Sequence, residues 1–172
     1  YDDIDMRDKA FDGSVEAESL SRNTHDRALY TYAVSANSIG YLCVHSKESR
    51  LPDETHLTQA FSYLKKAEEA IEKMFGKNYK EANILKGKVL SNIGAYYNAC
   101  LKLDIELIKQ KLKTDKVVDI SLKNNRQYHY DEAIKYHQSS LKLREDLYSK
   151  YGDEDIKDYI FTSKENIAND HY

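Results

Sequence analysis

Three stretches of this chain repeat one another, and a second pattern recurs between them. The first pattern reads Asn37-Ser38-Ile39-Gly40-Tyr41, then Ser91-Asn92-Ile93-Gly94-Ala95, then Glu165-Asn166-Ile167-Ala168-Asn169. The second reads Gln59-Ala60-Phe61 leading to Leu64 and Ala67, and Glu132-Ala133-Ile134 leading to His137 and Ser140. Two unlike segments that alternate and return are the mark of a chain built from stacked copies of one supersecondary unit. A single unit cannot bury its apolar face alone, so neighbouring units cover one another. The small residues Gly40, Gly94, Ala60 and Ala133 sit at matching places and let paired segments approach backbone to backbone.

Both patterns lie in helical periodicity, apolar residues returning every three or four positions. A first helix is predicted from about Val15 to Lys47, with Leu29, Tyr32, Ala36, Ile39 and Cys43 inward. Pro52-Asp53 is a helix-start signal. The second helix carries Leu57, Ala60, Leu64, Ala67, Ile71 and Met74 on one face. It is expected to close at Phe75-Gly76, the glycine taking the left-handed conformation. Asn78 with Glu81 resembles a capping box. A third helix shows Leu85, Val89, Ile93, Tyr97, Cys100 and Leu101, and its period continues through Ile105, Ile108 and Leu112. A fourth, from about Asp131 to Tyr151, turns Ala133, Ile134, His137, Leu141, Leu147 and Tyr148 inward. Asp153 and Asp155 are positioned to cap a fifth, with Tyr159, Ile160, Ser163, Ile167 and His171 inward. One proline and six glycines leave too few turn residues for an all-β fold.

The expected organisation is an acidic arm or linker over 1–13 and a helical repeat domain over 14–172. An insertion of about 103–129 falls inside the second repeat. Within it, Lys113 to Gln127 reads equally as a short strand, a packed loop or a disordered excursion. The chain begins at Tyr1 rather than Met and stops inside a helical pattern, as expected of a fragment of a longer protein.

These features resemble the tetratricopeptide repeat family over roughly residues 30 to 172. Ile93-Gly94 with Tyr97 matches the Leu-Gly-x-x-Tyr core of the family's first helix, and Tyr130-Asp131-Glu132-Ala133-Ile134 matches its second. Cys43 and His171 stand where that tyrosine belongs, and Leu64 and His137 replace the second-helix aromatic. Gly40 and Gly94 are 54 residues apart, and Gly94 and Ala168 are 74, against about 34 in the standard repeat. The longer-repeat variety found in kinesin light chains is similar. The resemblance implies an all-α fold, a helix-turn-helix solenoid wound into a superhelix, and a module that binds a partner protein or peptide on its concave face, as an adaptor does. The other reading is a structural scaffold segment whose faces are covered by neighbouring repeats.

Composition and motifs argue against other classes. A net charge of −3 lacks the basic footprint of a nucleic-acid binder. Lys109, Lys111, Lys113, Lys116, Lys123 and Arg126 outnumber Asp115 and Asp119 in the insertion, which a solvated polar loop explains as well as anion contact does. No apolar run reaches the roughly 20 residues of a membrane span. No His-Glu-x-x-His pair, zinc spacing, phosphate loop or nucleophile elbow occurs, so no catalytic residue, metal or cofactor is expected. His129 and His137 read as one solvent-facing and one core histidine. Cys43 and Cys100 read as reduced core thiols, consistent with a cytoplasmic or nuclear setting.

The binding residues are expected on the first helix of each repeat. Asn92 and Asn166 both precede the Ile of the repeated pair, offset from the buried stripes Ile93/Tyr97 and Ile167/His171. An amide offers both a donor and an acceptor, so it can hold an extended backbone. Asn37, Tyr41 and His45 join them from the first repeat, Lys88, Ala95 and Asn98 from the second, and Thr162 and Asn169 from the third. The plainer reading is that these asparagines are solvated or bridge neighbouring helices. Family members that clamp the acidic tails of heat-shock chaperones use cations at the places of Asn37, Thr162 and Asn166 and an amide at the place of Tyr41; only Asn92 fits the clamp, so tight binding of such a tail is not expected.

Overall fold

The computed structural model describes residues 2–45, 54–114, 117 and 120–170, with side chains described from Leu20 onward. It is all-α, and no strand occurs among the described residues. Five helices follow one another: α1 (Asp2–His45), α2 (Glu54–Glu72), α3 (Lys80–Lys113), α4 (Ile120–Tyr151) and α5 (Glu154–Asp170). The tightest pairs are α3 with α4 and α1 with α2. Helix α5 packs on α4, and α2 joins the two pairs by packing on α3. Among the described residues α1 packs on α3 and α3 on α5, and the backbones of α2 and α4, like those of α1 and α5, stay apart. Helix α3 is thus the contact shared by α1 and α5.

The core follows the predicted stripe most closely in α2, where Leu57, Ala60, Leu64, Ala67 and Ile71 are all buried, as is Met74 just beyond its end. In α3, Leu85, Val89, Ile93, Tyr97 and Cys100 are buried, and Leu101 is half-buried. Helix α1 departs from expectation. Ala36 is buried as expected and Leu29 and Cys43 are half-buried, but Tyr32 and Ile39 are exposed, and Ala33 and Gly40 face inward in their place. Close approach is the reason: a Cβ on Gly40 would lie 2.6 Å from Leu64 Cγ and 3.2 Å from the Ala60 carbonyl oxygen. The second pair repeats this contact, since a Cβ on Gly94 would lie 2.3 Å from the His137 ring. On α5 the deepest residues are Ile156, Ser163 and Asp170, while Tyr159, Ile160 and Ile167 are half-buried. His171 lies outside the described residues.

Three helix boundaries differ from the sequence reading. The acidic segment expected as an arm is helical from Asp2, and α1 runs on through Gly13-Ser14. Once a helix is nucleated each further residue adds a hydrogen bond, so weak formers are carried along. Gly76 does not take a left-handed conformation; among the described residues Gly152 does, at φ 61°. The end of α2 is held instead by Asp26 of α1, whose carboxylate accepts the Phe75 N–H at 2.9 Å and the Gly76 N–H at 2.7 Å. The Asn78–Glu81 capping box does not form, because Tyr79 is the N-cap of α3 and makes no side-chain cap bond. At α5 the expected cap is present: Asp153 Oδ1 accepts the Asp155 N–H at 3.0 Å.

The insertion is mostly helix. Helix α3 extends to Lys113, and α4 begins at Ile120 rather than near Asp131. Two lengthened helices packed as a hairpin thus occupy 113 and 120–127 of the segment read as a strand, loop or excursion, while 115, 116, 118 and 119 lie outside the described residues. Its base is packed: His129 Nδ1 and Asp104 Oδ2 are 2.6 Å apart, and Tyr128 meets the Tyr97 ring edge-on. His129 is accordingly not the solvent-facing histidine expected. The far end of the hairpin leaves Leu112, Val117 and Ile120 in solvent.

Candidate functional site

Where α1, α3 and α5 come together they leave an open groove of about 480 Å³. Asn37, Ser38, Tyr41 and Leu42 line it from α1, and Lys88, Ser91 and Asn92 from α3. Tyr159 and Thr162 come from α5, and Arg144 reaches it from α4. Helical spacing explains the grouping. Positions 37, 38, 41 and 42 stand on one face of α1, and 88, 91 and 92 on one face of α3. In α3 that face lies beside the buried stripe Val89, Ile93 and Tyr97.

The structure brings together Asn37, Tyr41, Lys88, Asn92 and Thr162 of the expected site residues. Asn92 Nδ2 donates to Asn37 Oδ1 at 2.9 Å, tying α3 to α1. Asn166 does not line the groove; its Nδ2 donates to Ser91 Oγ at 3.3 Å and ties α5 to α3. Asn98 turns away to donate to Asp170 Oδ1. His45 lies against Tyr41, one helical turn away, with ring centroids 4.3 Å apart and planes tilted by 41°, and burial followed by the Lys102 charge lowers its pKa. Ala95 is half-buried, and Asn169 is exposed outside the groove. Ser38, Leu42, Ser91, Arg144 and Tyr159 line the groove without having been expected as binding residues, Tyr159 having been read as part of the inward stripe of α5. The first three were readable, since each is one helical step from an expected residue. Arg144 was not, because it belongs to the opposite class of helix.

The charge among the groove's described lining residues is one-sided, with no Asp or Glu among them. Lys88 Nζ lies 4.9 Å from the centroid of the Tyr159 ring, and Arg144 Cζ lies 5.4 Å from it. Lys88 makes no ion pair among the described residues. Arg144 is only 5 % exposed, yet no carboxylate among the described residues pairs with it. Its guanidinium donates instead to the Tyr159 carbonyl at 2.7 Å, to Ser163 Oγ at 2.6 Å and, at 3.4 Å, to the Gly87 carbonyl. Burial pulls its pKa down to about 10, which leaves it charged at neutral pH.

Beneath the groove two polar layers run through α3, α4 and α5. In one, Arg144 and Ser140 reach the carbonyl of Gly87, and Arg144 reaches Ser163. In the other, His137 lies on Gly94, and its Nδ1 is 2.7 Å from Asp170 Oδ2. His137 Nε2 is buried with no hydrogen-bond partner among the described residues. Among those residues no cluster of three His, Cys, Asp or Glu could hold a metal ion, and no helix is long and apolar enough to cross a membrane. Neither a family model, nor a curated protein, nor a solved structure matches this chain.

Proposed function

We propose that the chain is a tetratricopeptide-type repeat module that binds a segment of a partner protein in the groove between α1, α3 and α5. The observation that carries this reading is the convergence of Asn37, Tyr41, Lys88, Asn92 and Thr162, from three helices, on one open concavity. Two further features support it. Helix pairs α1–α2 and α3–α4 share the same glycine contact, and α1 and α5 both pack on α3. A groove of this kind offers amide, hydroxyl and aromatic groups to an extended chain without demanding a particular side chain.

The scaffold reading has one observation in its favour. The Asn37–Asn92 and Asn166–Ser91 bonds spend amide groups on holding helices together. A benzophenone amino acid at Thr162, in the groove, compared with one at Lys157, on the exposed start of α5, separates the two. A partner module cross-links to another protein from Thr162 and not from Lys157. Cross-links confined to Lys157, or to copies of the chain itself, would refute groove binding.

A further inference from the structure

We infer that the occupant of this groove is an acidic segment of a partner protein, held through its Asp or Glu side chains by Lys88 and Arg144. The inference rests on the groove reading above and adds the chemistry of the ligand. Two cations face one cavity with no carboxylate among its described lining residues. A buried guanidinium normally has an anionic partner, because removing an unneutralised charge from water is costly. Here carbonyl and hydroxyl oxygens solvate Arg144 but do not neutralise it. Its guanidinium is itself shielded from water, and its field opens onto the cavity that it lines. Lys88 adds a second charge at the same aromatic ring. Ser91 and the second amide hydrogen of Asn92 supply neutral donors around the pair, while the Thr162 hydroxyl donates to the Asp158 carbonyl within α5.

The rest of the molecule sharpens the point. The chain carries a net charge of −3, so general electrostatics would repel an acidic ligand. Attraction must come from the local pair. The positions at which related repeats hold a chain-terminal carboxylate are occupied by the neutral Asn37, Tyr41, Thr162 and Asn166. Side-chain carboxylates within a segment are thus the fitting anions, and a free terminus is not required.

The test uses the full chain and a fluorescein-labelled hexaglutamate peptide, acetylated and amidated so that it has no terminal charge. Hexaglutamine of the same length is the control. Fluorescence anisotropy at low salt should show hexaglutamate binding more tightly than hexaglutamine by roughly tenfold or more, with affinity falling as salt rises. Lys88→Glu should remove most of that preference. Lys109→Glu, an equal charge change on the distant part of α3, should leave it within about twofold. Arg144→Met should act like Lys88→Glu, and circular dichroism checks its folding. Lys88→Glu decides the matter if the arginine variant unfolds. Equal binding of the two peptides, no binding of hexaglutamate at millimolar concentration, or an equal effect of Lys109→Glu would overturn the inference. A Thr162 cross-link that survives Lys88→Glu would leave the groove reading standing and the acidic ligand refuted.

Discussion

Gly87 and Gly94 stand two helical turns apart on α3 and face two side chains of α4 that are spaced the same way, Arg144 and His137. The two contacts differ in tightness, and that difference is testable. A Cβ at Gly94 would fall 2.3 Å from the His137 ring, which is boxed in by Asp170 and cannot move freely. Gly94→Ala should cost roughly 1–3 kcal/mol as overpacking. A Cβ at Gly87 would lie 3.4 Å from Arg144 Nε, a contact that small shifts absorb. Gly87→Ala also gains about 1 kcal/mol of helix propensity, so it should be close to neutral. Urea unfolding of both variants checks this, and equal losses would contradict it. The cysteines make a second pair. Burial pushes the Cys100 thiol up to about 11, whereas Cys43 is only half-buried. A thiol reagent at mild alkaline pH should therefore label one cysteine in the native chain and the second only on unfolding. The seven-residue spacing of His137 and Arg144, and of Ser163 and Asp170, was present in the sequence. Apolar periodicity picked out His137 and Ser163. It passed over Arg144 and Asp170, because a stripe read by hydrophobicity stops at a charge.

At the scale of elements, legibility tracked side-chain size. The α2 stripe could be read because its inward residues are mostly large, whereas α1 turns alanines and a glycine inward. The large apolar residues Tyr32 and Ile39 that define its apparent period are left outside. Nothing local in the sequence announces that α2 will press so close to α1. The same contrast sets two stabilities. Leu64→Ala, at a fully buried position against Gly40, should cost about 2–5 kcal/mol. Leu112→Ala, exposed on the hairpin, should change stability by less than about 0.5 kcal/mol. Thermal unfolding of the two variants distinguishes them. The starts of α3 and α5 are linked by the Lys80–Asp153 ion pair. The Lys80 hydrogen bond, reinforced by the Asp155 N–H, lowers the pKa of Asp153. A carboxylate with a depressed folded pKa stabilises fully above its unfolded value, near 3.9 for aspartate. That contribution is lost as pH falls below this value through the folded pKa. Lys80→Met should shrink the difference in stability between neutral and strongly acidic pH, measured by chemical denaturation, and an unchanged acid sensitivity would argue against the linkage.

For the molecule as a whole, the groove depends on how α5 is held, and α5 is held by polar groups rather than by a broad apolar face. Ile156 is its one fully buried large apolar residue. Arg144 fixes it at Tyr159 and Ser163, and Asp170 fixes its far end by accepting from Asn98 and contacting His137. Directional bonds of this kind fix register, and their loss leaves buried groups unsatisfied at about 1–3 kcal/mol each. Asp170 lies outside the groove, yet Tyr159 and Thr162 on the same helix line it. Asp170→Ala should therefore act at a distance. It strands Asn98 Nδ2 and the His137 ring, loosens α5 from α3 and α4, and lets the groove wall open. Hydrogen exchange should accelerate along α5 first, while α1 and α2, which share no contact with Asp170, keep their protection. Binding to the groove should weaken along with α5, although no lining residue has changed. Asp170→Asn keeps an acceptor for Asn98 and should fall between Asp170→Ala and the native chain. Unchanged exchange in α5 would show that its apolar contacts suffice to hold it, and weaker binding without faster exchange would place Asp170 in the ligand site itself.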